Sequence, residues 1–322
     1  MIRVGIIGAG LIGQKRAASL KGAQLVSVCD PIAERAQALA HTFQARVESD
    51  WQTLVAGSDI DAVLVCTPHN QLAHCAIGAI EKGKAVLIEK PGARTTEELR
   101  QIRAAAQKFS MPVRIGYNHR FHPALLQAKA LVKAGTIGPL LYIRARYGHG
   151  ARPGYEKEWR ANAAISGGGE LIDQGVHLID LARWYAGNLE FSWGRCKTSF
   201  WPMKVEDNGI LFLESADHSR WALLHASWTE WKNLFDFEIF GQTGKIEISG
   251  LGRSYGVEEL RVYRMKPEMG PPEIQITPFP EEDVSWQSEF NDFLNVLHKK
   301  PDQLATLDDA LHTLEVVESA YR

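Results

Sequence analysis

Four short stretches of the sequence bring together residue types that can do chemistry. The first is Gly8-Ala9-Gly10-Leu11-Ile12-Gly13, which directly follows an apolar run and opens a helical one. Gly8 allows a tight turn, Gly10 lets the backbone approach a pyrophosphate on the positive end of the helix, and Gly13 allows close helix–strand packing. Leu11 and Ile12 stand between them at the helix start. Asp30 lies twenty residues beyond Gly10 and closes the second strand. Its carboxylate can accept hydrogen bonds from both ribose hydroxyls. A negative charge there repels a 2′-phosphate, so NAD is expected in preference to NADP; Arg35 would soften that preference. The plain alternative is a glycine-rich turn that binds nothing.

The second stretch is Thr67-Pro68-His69 and the third is Glu89-Lys90-Pro91, each at the C-terminal end of a strand signal. Ligands of open α/β sheets bind outside these ends. Thr67 and His69 would border the inner half of a dinucleotide, with Pro68 as either a ligand contact or an ordinary turn. A lysine ending such a strand is poorly explained as a solvated charge. Its ammonium can hydrogen-bond a substrate hydroxyl and stabilise alkoxide character as the carbon is oxidised.

The fourth stretch runs from Gly167-Gly168-Gly169 to Asp180. Asp173 and His177 are four residues apart, so a helix presents them on one face. Imidazole titrates near neutrality, which suits it to accept a hydroxyl proton. The competing reading is a surface Asp–His pair, or a core histidine satisfied by Asp180.

These residues need a scaffold, and the chain has the composition for one. Its 322 residues carry 36 Lys+Arg against 38 Asp+Glu, a net charge of −2, and 45% apolar residues. That excludes intrinsic disorder and a binder of nucleic acid through bulk positive charge. The length exceeds what one core usually fills. Glycines interrupt the N-terminal apolar run and no window is long enough to span a membrane, so a cytoplasmic protein is expected. Cys29, Cys66, Cys75 and Cys196 form no CxxC pair and read as buried free thiols, not disulfides or zinc ligands.

Strands at 2–7, 23–29, 62–66, 85–88 and 113–116 alternate with helices at 14–20, 33–42, 72–82 and 96–109, which predicts a parallel sheet covered on both faces. A helix at 124–134, a strand at 140–147 and a helix at 170–185 follow. Seven strand signals between 191 and 277 predict a mostly antiparallel sheet, and helices at 284–298 and 306–321 follow it. The fold expected is α/β in two domains, 1–120 and 121–322, with the boundary near 117–123.

Taken in order, the stretches resemble the Gfo/Idh/MocA (glucose–fructose oxidoreductase / inositol dehydrogenase) family. The carriers are GAGLIG at 8–13, TP at 67–68, GKAVLIEKP at 83–91, YNHRF at 117–121 and GGGELIDQGVHLID at 167–180. The resemblance implies an N-terminal Rossmann domain that binds NAD and a C-terminal α/β domain with a large open sheet, whose face mediates homodimers or homotetramers. It implies that Lys90 contacts substrate and nicotinamide, that His177 takes the hydroxyl proton, and that Asp173 positions substrate or imidazole. Glu89 and Asn118 join the implied cofactor contacts and Arg120 the substrate contacts. No metal is implied. Two departures are Ala85, where the family commonly has histidine, and the TPHNQLAH turn, so no role passes to His74.

The loop at 147–160 reads YGHGARPGYEKEWR. Guanidiniums suit phosphate, and aromatics stack on sugars or bases. Arg152, Tyr155, Trp159 and Arg160 are therefore candidate contacts for a nucleotide sugar, and the loop is similar to that of family members that oxidise UDP-N-acetylglucosamine at C3 for surface-glycan or lipid A synthesis. The alternative is a structural loop whose arginines pair with Glu156 and Glu158. The expected activity is NAD-dependent oxidation of a secondary sugar hydroxyl to a ketone. Its rivals are a free-sugar or inositol dehydrogenase, an NAD-dependent glycoside hydrolase, and a non-catalytic sensor.

Overall fold

The computed structural model describes residues 1–322. The chain forms two compact units. The first comprises Met1–Asn118, Ala164–Gly167 and Trp286–Leu314; the second comprises His119–Ala163, Gly168–Ser285 and Glu315–Arg322.

In the first unit six strands form one parallel sheet: β1 (Ile2–Ile7), β2 (Ala23–Cys29), β3 (Arg46–Val47), β4 (Ala62–Val65), β5 (Ala85–Glu89) and β6 (Val113–Gly116). Their order is β3-β2-β1-β4-β5-β6. Residues of β4 and β5 are buried throughout, as strands covered on both faces must be. Helices α1 (Leu11–Ala18), α2 (Ala33–Phe43), α3 (Trp51–Ala56), α4 (His69–Glu81) and α5 (Thr96–Phe109) connect the strands. Ile7 pairs with both Cys29 and Val65, so the strand order reverses between β1 and β4, at the end where the glycine stretch begins. Such a reversal opens the crevice in which α/β sheets bind ligands.

Two of these elements were not expected. Strand β3 is two exposed residues with no apolar signature. Helix α3 is six residues long and depends on Asp50, whose side chain accepts a hydrogen bond from Thr53 N–H. Helices α1 and α4 also start three residues earlier than their composition suggests, because Gly10 and Pro68 act as their caps.

The second unit opens with α6 (Pro123–Lys133) and β7 (Leu140–Gly148). The short helix α7 (Ala163–Ser166) leads to a π-helical turn, Leu171–Gly175, which runs into α8 (Val176–Ala186). Seven strands follow: β8 (Glu190–Lys197), β9 (Asn208–Glu214), β10 (Trp221–Ser227), β11 (Leu234–Gly241), β12 (Gly244–Ser249), β13 (Glu258–Arg264) and β14 (Glu273–Phe279). With β7 they form one eight-stranded sheet, ordered β14-β13-β12-β11-β7-β10-β9-β8. The expected antiparallel pairing holds except between β7 and β10, which run parallel. One face of this sheet is buried through Tyr147, Leu211, Leu224, Phe237, Ile246 and Val262.

The chain then forms α9 (Ser285–Leu297) and α10 (Leu307–Tyr321). Most of these residues belong to the first unit, whereas the sequence reading put everything after 120 in the second. The ties are specific. Arg114 pairs with Asp302, Arg103 with Asp308, and Ile115 N–H bonds to Ala305 O. All four cysteines are free thiols; Cys29 and Cys75 are buried, while Cys66 and Cys196 are partly so. Burial pushes the Cys29, Cys75 and Cys196 thiols up to about 12. No helix is long and apolar enough to cross a membrane.

Candidate functional site

In the first unit the glycine stretch has the geometry a dinucleotide needs. Gly8 has φ of 96°, and a Cβ there would lie 2.6 Å from the Cys66 carbonyl oxygen. A Cβ on Gly13 would lie 2.0 Å from the Gly8 carbonyl oxygen, so helix and loop touch through bare backbone. A Cβ on Gly10 would meet nothing within 4 Å, which leaves open space at the helix start. No side chain caps α1, so the first-turn N–H groups at Leu11 and Ile12 face that opening without a side-chain acceptor. The Asp30 carboxylate accepts Ala9 N–H at 2.7 Å and Ile32 N–H at 2.8 Å, which ties the loop to the segment leading into α2. Each oxygen retains a lone pair for a ribose hydroxyl. Arg35 is exposed on α2. The Thr67 hydroxyl, at the end of β4, is buried without a hydrogen-bond partner. An open cradle, a carboxylate at the strand end and an orphaned hydroxyl fit NAD.

Two expected cofactor contacts, His69 and Glu89, sit differently. His69 is buried, and its Nδ1–H donates to the Ser166 carbonyl at 2.7 Å. Arg94 donates to the Ala164 carbonyl at 2.6 Å, so the two side chains hold the segment before the glycine run. Glu89 faces inward and accepts from Arg16 Nε at 2.6 Å. Arg16 is 1% exposed, also pairs with Glu289 of α9, and lies under the Trp286 ring at 4.6 Å. Burial opposes its charge, but the two carboxylates outweigh burial and hold the guanidinium above its ordinary value. A Cβ on Gly116 would lie 2.4 Å from Arg16 Nη2, so β6 must end in glycine to admit it. Lys90 directly follows β5, is partly buried, and is joined to Pro91 by a cis peptide bond. Asn118 is buried in the 3-10 turn Asn118–Phe121.

In the second unit Asp173 lies on the π-helical turn and His177 on the first turn of α8, both buried. Arg160 Nε donates to Asp173 Oδ2 at 3.0 Å. His177 stacks on His119 with ring centroids 3.6 Å apart and planes at 16°. His119 in turn meets the edge of Tyr147 at 5.2 Å and of His122 at 5.5 Å. Gln174 Nε2 donates to the Tyr255 hydroxyl at 3.0 Å. Burial, then the neighbouring Tyr255, raises Tyr147 well above its ordinary value, so it remains a neutral phenol. Burial lowers His149 despite the pull of Asp173.

His119 stands between Asn118 and Arg120 without a role expected from sequence; its one signal is an imidazole in the YNHRF turn. Arg120 is not free to meet a substrate. Its guanidinium grips both Asp180 oxygens, at 2.8 and 2.5 Å, inside the core. In the 147–160 loop Tyr155 is buried and packs edge-on against Trp228 at 4.9 Å. Arg152 pairs with Glu158, and Arg160 lies 3.6 Å from Glu158 and 4.6 Å above the partly exposed Trp159. The loop is therefore built largely around its own ion pairs. No group of three or more His, Cys, Asp or Glu is placed to hold a metal ion.

Residues 2–117 match the NAD-binding Rossmann fold of the Gfo/Idh/MocA oxidoreductase family, and residues 125–247 match that family's C-terminal domain. The chain belongs to the Gfo/Idh/MocA family and carries its NAD-binding Rossmann domain. It is 33% identical over 214 residues to the levoglucosan dehydrogenase of Pseudarthrobacter phenanthrenivorans, covering 62% of this chain and 54% of that one. It is 34% identical over 193 residues to inositol 2-dehydrogenase 4 of Saccharopolyspora erythraea, covering 58% and 54%. The chain thus spans about half the length of these relatives. A solved structure of levoglucosan dehydrogenase with NADH has the same fold, with a TM-score of 0.88 at 24% identity over 99% of this chain and 97% of that one.

Proposed function

We propose that the protein is an NAD-dependent dehydrogenase that oxidises a secondary hydroxyl of a sugar or polyol to a ketone. The observation that carries this reading is the position of Lys90. It directly follows β5 at the same sheet edge as the open glycine cradle after β1, with only β4 between the two strands. Family relatives that act on levoglucosan and inositol give the substrate class.

In this reading the backbone at Gly8, Gly10, Leu11, Ile12 and Gly13 holds the pyrophosphate, Asp30 the ribose hydroxyls, and Thr67 and Asn118 the inner half of the cofactor. NAD, when bound, accepts the hydrogen and electron pair leaving the carbinol carbon. The Lys90 ammonium donates to the hydroxyl oxygen and stabilises its growing negative charge. His177 takes the hydroxyl proton as the C–O bond becomes a carbonyl. Asp173, itself held by Arg160, orients the substrate or the imidazole. Two electrons and one hydrogen leave the carbon, one proton leaves the oxygen, and ketone, NADH and a proton result.

A nucleotide sugar such as UDP-N-acetylglucosamine gains no support from the loop, because Arg152 and Arg160 already face Glu158 and Asp173. A free sugar, polyol or simple glycoside is the substrate we assign. The outer face of the second sheet exposes Trp193, Ile210, Leu223, Ile274 and Ile276, and we assign a homodimer or homotetramer to it.

The test is NADH appearance with levoglucosan, myo-inositol, glucose, a methyl glucoside and UDP-N-acetylglucosamine, with a ketone trap to pull the reaction forward. Turnover of a free sugar, polyol or glycoside is expected. Turnover of the UDP-sugar alone would reinstate the nucleotide reading, and silence across a wide polyol panel would overturn the dehydrogenase reading.

A further inference from the structure

We propose that Glu206 and Tyr321 are positioning residues for the acid–base pair, together fixing the start of the π-helical turn that carries Asp173 and leads to His177. The inference rests on the roles given above to those two residues.

The chain reaches this turn through Gly168 and Gly169, which by themselves favour no single path. One residue takes three successive N–H groups there. Gly169 N–H donates to Glu206 Oε2 at 2.9 Å, Glu170 N–H to the Glu206 carbonyl at 3.0 Å, and Leu171 N–H to Glu206 Oε1 at 3.0 Å. A helical start ordinarily leaves its first N–H groups without partners, and a carboxylate there is favoured by the helix dipole. Glu206 supplies that cap from 35 residues away. The Tyr321 hydroxyl donates to Glu206 Oε1 at 2.6 Å and so fixes the carboxylate in turn.

Space is constrained as tightly as bonding. A Cβ on Gly168 would lie 2.1 Å from the Tyr321 hydroxyl oxygen, and one on Gly169 would lie 2.0 Å from the Glu206 carbonyl oxygen. Neither position admits a side chain. The clamped segment reaches the chemistry in one step, because Asp173 N–H donates to the Gly169 carbonyl at 3.1 Å. Burial pushes the Glu206 carboxyl up, while Tyr321 and the N–H groups of Gly169 and Leu171 pull it down. Glu206 is 9% exposed, so the cap is largely buried. A displacement of about 1 Å in a reacting group can cost on the order of a hundredfold in rate, so a clamp of this kind acts on turnover.

The experiment uses full-length Tyr321→Phe, which keeps the ring and removes one hydroxyl, beside Glu206→Gln. Three quantities are read: kcat on the best substrate, NADH affinity by fluorescence titration, and amide hydrogen exchange across residues 168–175. The proposal expects kcat for Tyr321→Phe to fall about tenfold or more, NADH affinity to stay as in wild type, and exchange across 168–175 to quicken. Unchanged exchange, or quickened exchange with unchanged kcat, would overturn it. A matching fall in NADH affinity would also overturn it, since that is what general destabilisation produces. The exchange arm needs no substrate, so a wild-type protein silent with every sugar would remove the dehydrogenase reading while exchange still decides whether the clamp exists.

Discussion

His177 lies with one ring face against His119, with centroids 3.6 Å apart and planes at 16°, so the second imidazole restrains the plane of the ring to which we assign the hydroxyl proton. His177→Ala is expected to lower kcat/KM at neutral pH by about 10²–10⁴-fold, the usual contribution of a positioned general base. Activity should recover in part as pH rises, because hydroxide replaces the missing acceptor. A pH–rate profile shaped like that of wild type would assign the base to another group. Asp30→Ala should weaken NAD more than NADP, since the carboxylate that binds ribose hydroxyls also repels a 2′-phosphate. Competitive titration of the two cofactors checks this, and an unchanged ratio would remove Asp30 from the ribose site. At this scale the sequence shows which charges exist but not which charge each one meets. Asp30 was legible because its position follows from a motif. Arg120 and Glu89 were misread because their partners, Asp180 and Arg16, are 60 and 73 positions away.

Among the elements, the helix of the glycine stretch, β5 and α9 meet at one buried guanidinium. Arg16 stands between Glu289 and Glu89, the last residue of β5 and the one that precedes Lys90. Arg16→Met would leave two buried carboxylates facing each other. It is expected to destabilise the protein by about 3–5 kcal/mol, the cost of breaking a buried pair from one side. Urea denaturation measures this, and a loss below about 1 kcal/mol, the range of exposed pairs, would contradict the triad. Helices and strands with a clear apolar period were read almost to the residue, as for α5 and β11. The π-helical turn was not, because Leu171–Gly175 has an ordinary helical composition and the Glu206 contacts at its start come from 35 positions away. Strand β3 was not, because two exposed residues have no period to read.

For the whole molecule, both sheet types and the order of the two folds along the chain were legible, since alternation of strand with helix and succession of strand upon strand are local patterns. The parallel pairing of β7 with β10 was hidden, because the two strands are about seventy residues apart in sequence. The return of Trp286–Leu314 to the first unit was hidden for the same reason. The outer face of the second sheet gives a prediction at this scale. Ile276 is 53% exposed, in a row with Ile274 on the same side of β14. Ile276→Asp should lower the assembly state seen by light scattering without loss of NAD affinity. An unchanged assembly, or a wild-type monomer, would contradict an interface on that face.

In the proposed reaction Lys90 acts on the substrate hydroxyl and not on the fold or the cofactor. The direct measurement is Lys90→Met, read by NADH affinity and by turnover on the same preparation. NADH binding is expected to stay close to that of wild type and turnover to fall by about three orders of magnitude or more, the scale on which a positioned charge-stabilising donor contributes. Turnover near that of wild type, with NADH binding intact, would contradict it.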